Sequence, residues 1–160
     1  IVDIDEKKLK IAEDMGFIPI NSMQTDAVET VFKPTKNQGA NRVVEACGLP
    51  QTFLQALNMA SRNAEVVFMG NIIGEFKIGE KDFSNMLRRE ITIYGTWNSK
   101  TVPVGNDDWS TVLNYIDKEL QVAPLISDIV PIEQGKEIFS SVVEKRKFHN
   151  KVIIKLADKL

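Results

Sequence analysis

The junction between a short β-branched run and an amphipathic helix at the start of the sequence constrains the fold most. Residues 1–5 are rich in Ile and Val and include two acids, and residues 5–15 place apolar side chains at helical spacing before Gly16. A strand that leads directly into a helix is typical of the βα units that build parallel sheets. We expect this segment to be the second strand and helix of a nucleotide-binding βαβ unit, whose first strand would precede the sequence.

Asp3 lies at the predicted carboxyl end of this strand. In dinucleotide folds a carboxylate about 20 residues after the glycine-rich turn accepts hydrogen bonds from the adenosine ribose diol. It also disfavours a cofactor with a 2′-phosphate, because two anions would be forced together. Asp3 is therefore a candidate ribose ligand, although aspartate also ends strands simply by turning the chain.

Composition and charge restrict the class of protein. The chain has 160 residues, of which 43% are hydrophobic and 26% charged, which fits one globular domain. Its net charge is −2 and its basic residues are scattered beside acids, so nucleic-acid binding is not expected. No apolar run approaches the ~18 residues of a membrane span and no signal peptide is evident, so we expect no membrane partner and a cytoplasmic location.

The metal-ligand residues are few. Cys47 is the only cysteine and cannot form an internal disulfide, and His149 is the only histidine. The chain therefore cannot assemble a zinc site of the usual Cys/His kind, and we expect any zinc ligands to lie outside it.

Alternating strand and helix patterns continue along the chain, which predicts an α/β fold with a Rossmann-like, doubly wound parallel sheet. In such sheets ligands bind outside the carboxyl ends of the strands. The turn of residues 46–48 and the turn that begins at Gly70 and Asn71 are therefore candidate binding segments, with Asp3. The predicted strands are 17–21, 39–46, 66–69, 90–95, 129–130 and 152–155, and the predicted helices are 25–32, 51–61, 83–89, 107–119 (N-cap Asn106 or Asp107) and 132–145.

Several motifs, in this order and spacing, resemble the zinc-type medium-chain alcohol dehydrogenases over nearly the whole chain. Within that family the sequence is most similar to the polyol dehydrogenases that act on galactitol 1-phosphate, with sorbitol dehydrogenases as close alternatives. The motifs are Asp3 with Lys8, Glu45-Ala46-Cys47-Gly48, residues 48–52, residues 67–71, residues 87–95, Gly95-Thr96-Trp97-Asn98, and the closing segments 124–126 and 151–154.

The resemblance implies an NAD-dependent oxidation of a polyol or polyol phosphate to a ketose, most closely galactitol 1-phosphate to tagatose 6-phosphate. Zinc would polarise the alkoxide while hydride passes to NAD. It assigns residues 1–130 to a partial NAD-binding domain and 131–160 to a tail returning towards a catalytic domain outside the sequence. Lacking that domain and the first strand, the 160-residue chain alone is expected to be inactive.

The resemblance also implies cofactor-binding residues, each with a plainer alternative. Lys8 could be a surface lysine, Cys47 is more simply a small buried hydrophobe, and Met69 and Trp97 could belong to the core. Asn98 replaces an arginine of sorbitol dehydrogenases that reaches substrate. The implied set is Asp3, Lys8, Ala46, Cys47, Met69, Gly70, Asn71, Trp97 and Asn98.

Three further interpretations concern the rest of the chain. Lys151 could approach cofactor phosphates or substrate, whereas His149 is expected to be a surface histidine.

The strand from Ile91 to Tyr94 matches the edge through which the family forms homodimers or homotetramers. A non-catalytic nucleotide-binding module is an alternative, and a zinc-free quinone-reductase type is disfavoured by the acid at Asp3.

Overall fold

The computed structural model describes residues 1–102, 107–116 and 118–157 as strands and helices that alternate along the chain. The strands are β1 Val2–Asp3, β2 Ile20–Asn21, β3 Ala40–Glu45, β4 Ala60–Phe68, β5 Thr92–Gly95, β6 Ile126–Pro131 and β7 Lys151–Lys155. The helices are α1 Glu6–Asp14, α2 Ala27–Phe32, α3 Pro50–Met59, α4 Glu80–Arg88, α5 Asp108–Ile116 and α6 Gly135–Val143, with 3₁₀ turns at Ala123–Leu125 and Ile132–Gln134. Within these described ranges, no helix is long and apolar enough to cross a membrane.

The chain forms two compact units. One contains residues 3–19 and the chain from residue 99 onwards, together with Ile1, and the other contains residues 20–98 with Val2. In the second unit β3, β4 and β5 form a parallel sheet in that order, with β4 in the centre. In the first unit β6 and β7 form a separate parallel pair. Parallel strands alternating with helices confirm the predicted Rossmann-like α/β class.

Helix boundaries follow the local signals in the sequence. The Asp5 side chain caps α1 by accepting from the backbone N–H groups of Lys7 and Lys8, and Gly16 follows the helix at a φ of +87°. Pro50 occupies the first turn of α3, where its missing N–H removes no helical hydrogen bond. Asp107 accepts from the Ser110 N–H at 2.6 Å at the start of α5, as one of the two predicted caps. The other, Asn106, lies outside the described residues.

Several predicted boundaries are wrong. The strand predicted over 17–21 is reduced to Ile20–Asn21, and the helix predicted over 51–61 ends at Met59. Strand β4 begins at Ala60, directly after the last residue of α3, with no loop between the two elements. Ala60 is fully buried and already belongs to the interior of the sheet. The helix predicted over 132–145 is divided into a 3₁₀ turn and α6.

The core of the second unit lies between β4 and the helix that precedes it. Val66 is fully buried in the central strand, and Phe53 of α3 packs edge-on against Phe68 with ring centroids 4.8 Å apart. This packing fixes α3 on the sheet and so fixes the turn that leads into α3. The buried cluster comprises Val43, Ala56, Leu57, Met59, Ala60, Ala64 and Val66.

A partly buried polar network stabilises the first unit around β6 and β7. The His149 ring contacts Asp128 through Nδ1 and Ser141 through Nε2, each at 2.8 Å. Lys147 also reaches Asp128, at 2.7 Å. The His149 side chain is only 6% exposed, so its prediction as a surface histidine is wrong. Burial is tolerated because both ring nitrogens have partners. Lys151 begins β7.

The Asp128 network predicts a pH-dependent stability. Hydrogen bonds from Lys147, then from His149 and Ser127, hold the pKa of Asp128 well below its usual range. A carboxyl with a lowered pKa stabilises the fold above its unfolded pKa of about 3.9, and this contribution is lost as the pH falls below that value. In thermal denaturation, Asp128→Asn should therefore lower the melting temperature at pH 7.

The melting-temperature gap between wild type and Asp128→Asn should narrow as the pH falls below about 4. The control is Asp14→Asn, because Asp14 pairs with Lys10 on an exposed helix face, where ion pairs contribute little. A gap that is absent at pH 7, or that widens in acid, would contradict this interpretation of the network.

Candidate cofactor site

The carboxyl ends of β3, β4 and β5 end in one row at the same edge of the sheet. Glu45 pairs with Phe68, which in turn pairs with Gly95. Three segments therefore leave the sheet side by side: 46–48, 69–71 and 96–98. Open parallel sheets bind ligands outside this edge. The structure thus brings together seven predicted site residues: Ala46, Cys47, Met69, Gly70, Asn71, Trp97 and Asn98.

The first turn, residues 46–48, is held by the Glu45 side chain. Glu45 Oε1 accepts from the backbone N–H groups of Cys47 at 2.9 Å and Gly48 at 2.8 Å. The Thr52 hydroxyl donates to the same oxygen at 2.7 Å and accepts from the Leu49 N–H. The carboxylate therefore connects the end of β3 to the first turn of α3.

The second turn, residues 69–71, is held by the main chain of Glu45. The Glu45 carbonyl accepts from the N–H groups of Met69 at 2.9 Å and Gly70 at 3.0 Å. Gly48 adopts a φ of +83°, and a Cβ there would overlap the Asn71 carbonyl. A Cβ on Gly70 would overlap Glu45 Oε2 and the Gly48 nitrogen. Glycine at both positions therefore allows the two turns to touch.

The side chains on these turns point towards solvent. Met69 is 50% and Trp97 72% exposed, so neither belongs to the core. Cys47 is also exposed, and its prediction as a small buried hydrophobe is wrong. Strand alternation buries Val43 and Glu45, but the chain leaves the strand after Glu45, and the alternation no longer applies to Cys47. Met69, Trp97 and Cys47 thus offer an exposed rim to a ligand.

Asp3 and Lys8 belong to the first unit. Asp3 Oδ1 accepts from the backbone N–H groups of Ile4 at 2.7 Å and Asp5 at 2.9 Å, so part of its role is to turn the chain. Its Oδ2 has no hydrogen-bond partner within the described part of the chain. Lys8 is exposed on α1. Both side chains have polar groups that a ligand could use.

The described residues do not provide a metal centre. No group of three or more His, Cys, Asp or Glu side chains in residues 1–102, 107–116 and 118–157 is arranged to hold a metal ion. These residues therefore do not fit a zinc ion, and we derive no zinc-dependent step from them. The two glycines, in contrast, bring the turns of residues 46–48 and 69–71 into contact, so that both turns lie side by side at the edge where open parallel sheets bind organic ligands.

Sequence reasoning missed the role of Glu45 and Thr52. Both residues belong to motifs of the family resemblance, which assigns neither of them a function of its own. A signal was present, since an acid at the end of an apolar strand precedes a glycine by three residues and a hydroxyl by seven. Such spacing suits a carboxylate that caps a turn and the following helix.

Curated relatives of this chain are dehydrogenases. Galactitol 1-phosphate 5-dehydrogenase of Escherichia coli K12 is 25% identical over 128 residues, which cover 79% of this chain and 37% of that protein. L-threonine 3-dehydrogenase of Shewanella baltica OS155 is 22% identical over 143 residues, which cover 89% of this chain and 40% of that protein. The chain thus spans about two fifths of the length of these relatives.

Solved structures share the fold. Galactitol-1-phosphate dehydrogenase of Escherichia coli superposes with a TM-score of 0.82 at 23% identity and covers 94% of this chain and 44% of that one. The 2R,3R-butanediol dehydrogenase of Bacillus subtilis superposes with a TM-score of 0.78 at 19% identity and covers 98% and 43%. At these identities the likeness establishes the fold.

The family follows from a match along the sequence itself. The profile of the zinc-binding dehydrogenases matches residues 1–118, which is well over half of the 160 residues. This match agrees with the fold of the solved relatives and confirms the resemblance predicted from the motifs. The chain belongs to the zinc-binding dehydrogenase family.

Proposed function

We propose that the protein containing this chain is an NAD- and zinc-dependent polyol dehydrogenase, and that this chain supplies most of the cofactor-binding surface. The observation that carries the proposal is the row of three turns at the carboxyl edge of β3, β4 and β5. Because the chain spans 37% of its galactitol 1-phosphate relative, the activity is proposed for the longer protein. The 160 residues alone are expected not to turn over substrate.

The resemblance to the medium-chain alcohol dehydrogenases assigns the second turn to the nicotinamide end of the cofactor. The N–H groups of Met69 and Gly70 are occupied by the Glu45 carbonyl, whereas the Asn71 N–H has no partner among the described residues. We assign the Asn71 N–H and the Met69 carbonyl to the nicotinamide carboxamide. Bound NAD would supply the hydride acceptor, and the backbone of this turn would orient its ring.

The other proposed contacts lie around the same edge or in the first unit. Ala46 and Cys47 would line the adenosine side of the groove, and Asp3 would accept from the ribose diol with Lys8 beside it. Trp97 is mostly exposed after β5, which suits a residue that covers a bound ligand.

The proposed substrate is galactitol 1-phosphate, with sorbitol or another polyol as the alternative. Support comes from the 25% identical relative that acts on galactitol 1-phosphate, and from Asn98 in place of the sorbitol dehydrogenase arginine. The balanced reaction removes a hydride and a proton from a secondary alcohol and yields a ketone, NADH and a proton.

We also propose a homodimer or homotetramer formed through β5. This strand is one of the two outer strands of the three-stranded sheet, and all four of its residues are exposed. An uncovered edge strand tends to pair with another strand. A strictly monomeric protein in analytical ultracentrifugation would rule this out.

The division of the chain into residues 1–130, a partial NAD-binding domain, and residues 131–160, a tail, remains a prediction, as does the cytoplasmic location.

The substrate assignment predicts a specific pattern of NAD reduction. The protein should reduce NAD with galactitol 1-phosphate faster than with sorbitol, galactitol or L-threonine at equal concentration, and zinc chelation should abolish the reaction. Absorbance of the reduced nicotinamide provides the measurement. Preference for an unphosphorylated polyol would move the substrate within the family, and cofactor binding without any turnover would favour the non-catalytic module.

The ribose assignment predicts the effect of Asp3→Asn. The amide keeps the acceptor for the N–H groups of Ile4 and Asp5 but removes the negative charge. The Kd for NAD should rise roughly tenfold, as expected for loss of a charged hydrogen bond, and discrimination against NADP should decrease.

The matched control for Asp3→Asn is Asp5→Asn. Asp5 is a nearby acid that caps α1, and asparagine caps a helix about as well as aspartate. Calorimetric titration should therefore show unchanged NAD affinity for Asp5→Asn. Equal effects of the two substitutions, or none, would exclude Asp3 as the ribose ligand.

A further inference from the structure

Glu45 combines deep burial with an unpartnered oxygen. The residue is 3% exposed, and Oε1 receives three hydrogen bonds, from Cys47, Gly48 and Thr52. Oε2 is buried and has no hydrogen-bond partner among the residues that the structure describes. An unpartnered buried acceptor is unfavourable for stability, so its presence calls for an explanation.

The unpartnered oxygen lies directly beneath the second turn. Glu45 Oε2 occupies the space that a Cβ on Gly70 would take. The same residue accepts from the Gly70 N–H through its main-chain carbonyl. Glu45 thus contacts both glycine turns, and its free oxygen lies against Gly70 in the second turn.

Hydrogen-bond donors compensate the charge of Glu45 at one oxygen only. Within the described residues no lysine, arginine or histidine forms a salt bridge with it. The three hydrogen bonds converge on Oε1 and leave Oε2 without a donor. In a partly dry environment such a charge acts over a longer distance than in water.

We propose that Glu45 is a positioning residue of the cofactor site and that its buried carboxylate favours the oxidised, positively charged nicotinamide over the neutral reduced ring. The inference rests on the proposed function, which places the nicotinamide against the second turn. A fixed anion beneath that turn attracts the cationic ring and has no comparable effect on the reduced one. Glu45 would thereby help the site bind NAD⁺ and release NADH.

Glu45→Gln removes the negative charge of this side chain but preserves its shape. The amide oxygen still accepts from Cys47, Gly48 and Thr52, so the first turn keeps its hydrogen bonds. Titration of the protein with each cofactor should show the Kd for NAD⁺ rising about three- to tenfold. The Kd for NADH should change less than about twofold, because the reduced ring is uncharged.

Two further variants control for folding and for charge in general. Glu65→Gln removes an acid of the neighbouring strand β4 that pairs with Arg42 on the surface. It should leave the ratio of the two Kd values unchanged. Thr52→Val keeps the carboxylate but removes one donor from Oε1, together with the acceptor of the Leu49 N–H. Thr52→Val should shift the ratio of the two affinities towards NAD⁺, the direction opposite to that of Glu45→Gln. This variant keeps the proposal testable if Glu45→Gln does not fold.

The outcomes separate this inference from the proposed function. A changed NAD⁺/NADH affinity ratio in Glu45→Gln, with an unchanged ratio in Glu65→Gln, supports it. Equal weakening of both cofactors would show a purely structural role and overturn it, as would an unchanged affinity for both. Failure of the wild-type protein to bind either cofactor would overturn the proposed function, and this inference with it.

Discussion

The parallel register of β3, β4 and β5 is the constraint on which the proposed site depends. Because Glu45, Phe68 and Gly95 lie in one row, the chain must turn away from the sheet at three adjacent points. Parallel strands have the same direction, so all three turns face one side. The burial of Val66 and Phe53 fixes this register, and the core therefore determines where a ligand can bind.

At this edge the sequence favours close approach of the backbone over local stability. Gly48 and Gly70 allow the two turns to touch, where any other residue would overlap its neighbours. Glu45 connects the turns through its side chain and its main chain, and one buried oxygen of its carboxylate finds no partner in the described part of the chain. Arrangements that are locally unfavourable but held by many surrounding contacts are frequent at functional sites.

The sequence predicted the fold class and the strands whose carboxyl ends carry the proposed site correctly. It predicted the burial of individual side chains less well. Strand and helix periodicity depends on local spacing, which is why the strands before Ala46 and Gly70 were identified. Burial of Cys47 and His149 depends on tertiary structure. Cys47 is exposed because the strand ends before it. The His149 side chain is buried because Asp128, 21 residues away, and Ser141, eight residues away, satisfy its ring. Such long-range pairing leaves no periodic pattern in the sequence.

Hydrogen–deuterium exchange with and without saturating NAD⁺ tests the central claim most directly, because it reports on the backbone of each turn. The account predicts slower exchange in residues 46–48, 69–71 and 96–98, with helix α2 (Ala27–Phe32) unchanged as an internal reference. Protection confined to other segments, or none in these turns while NAD⁺ is bound, would contradict the assignment of the carboxyl edge as the cofactor site.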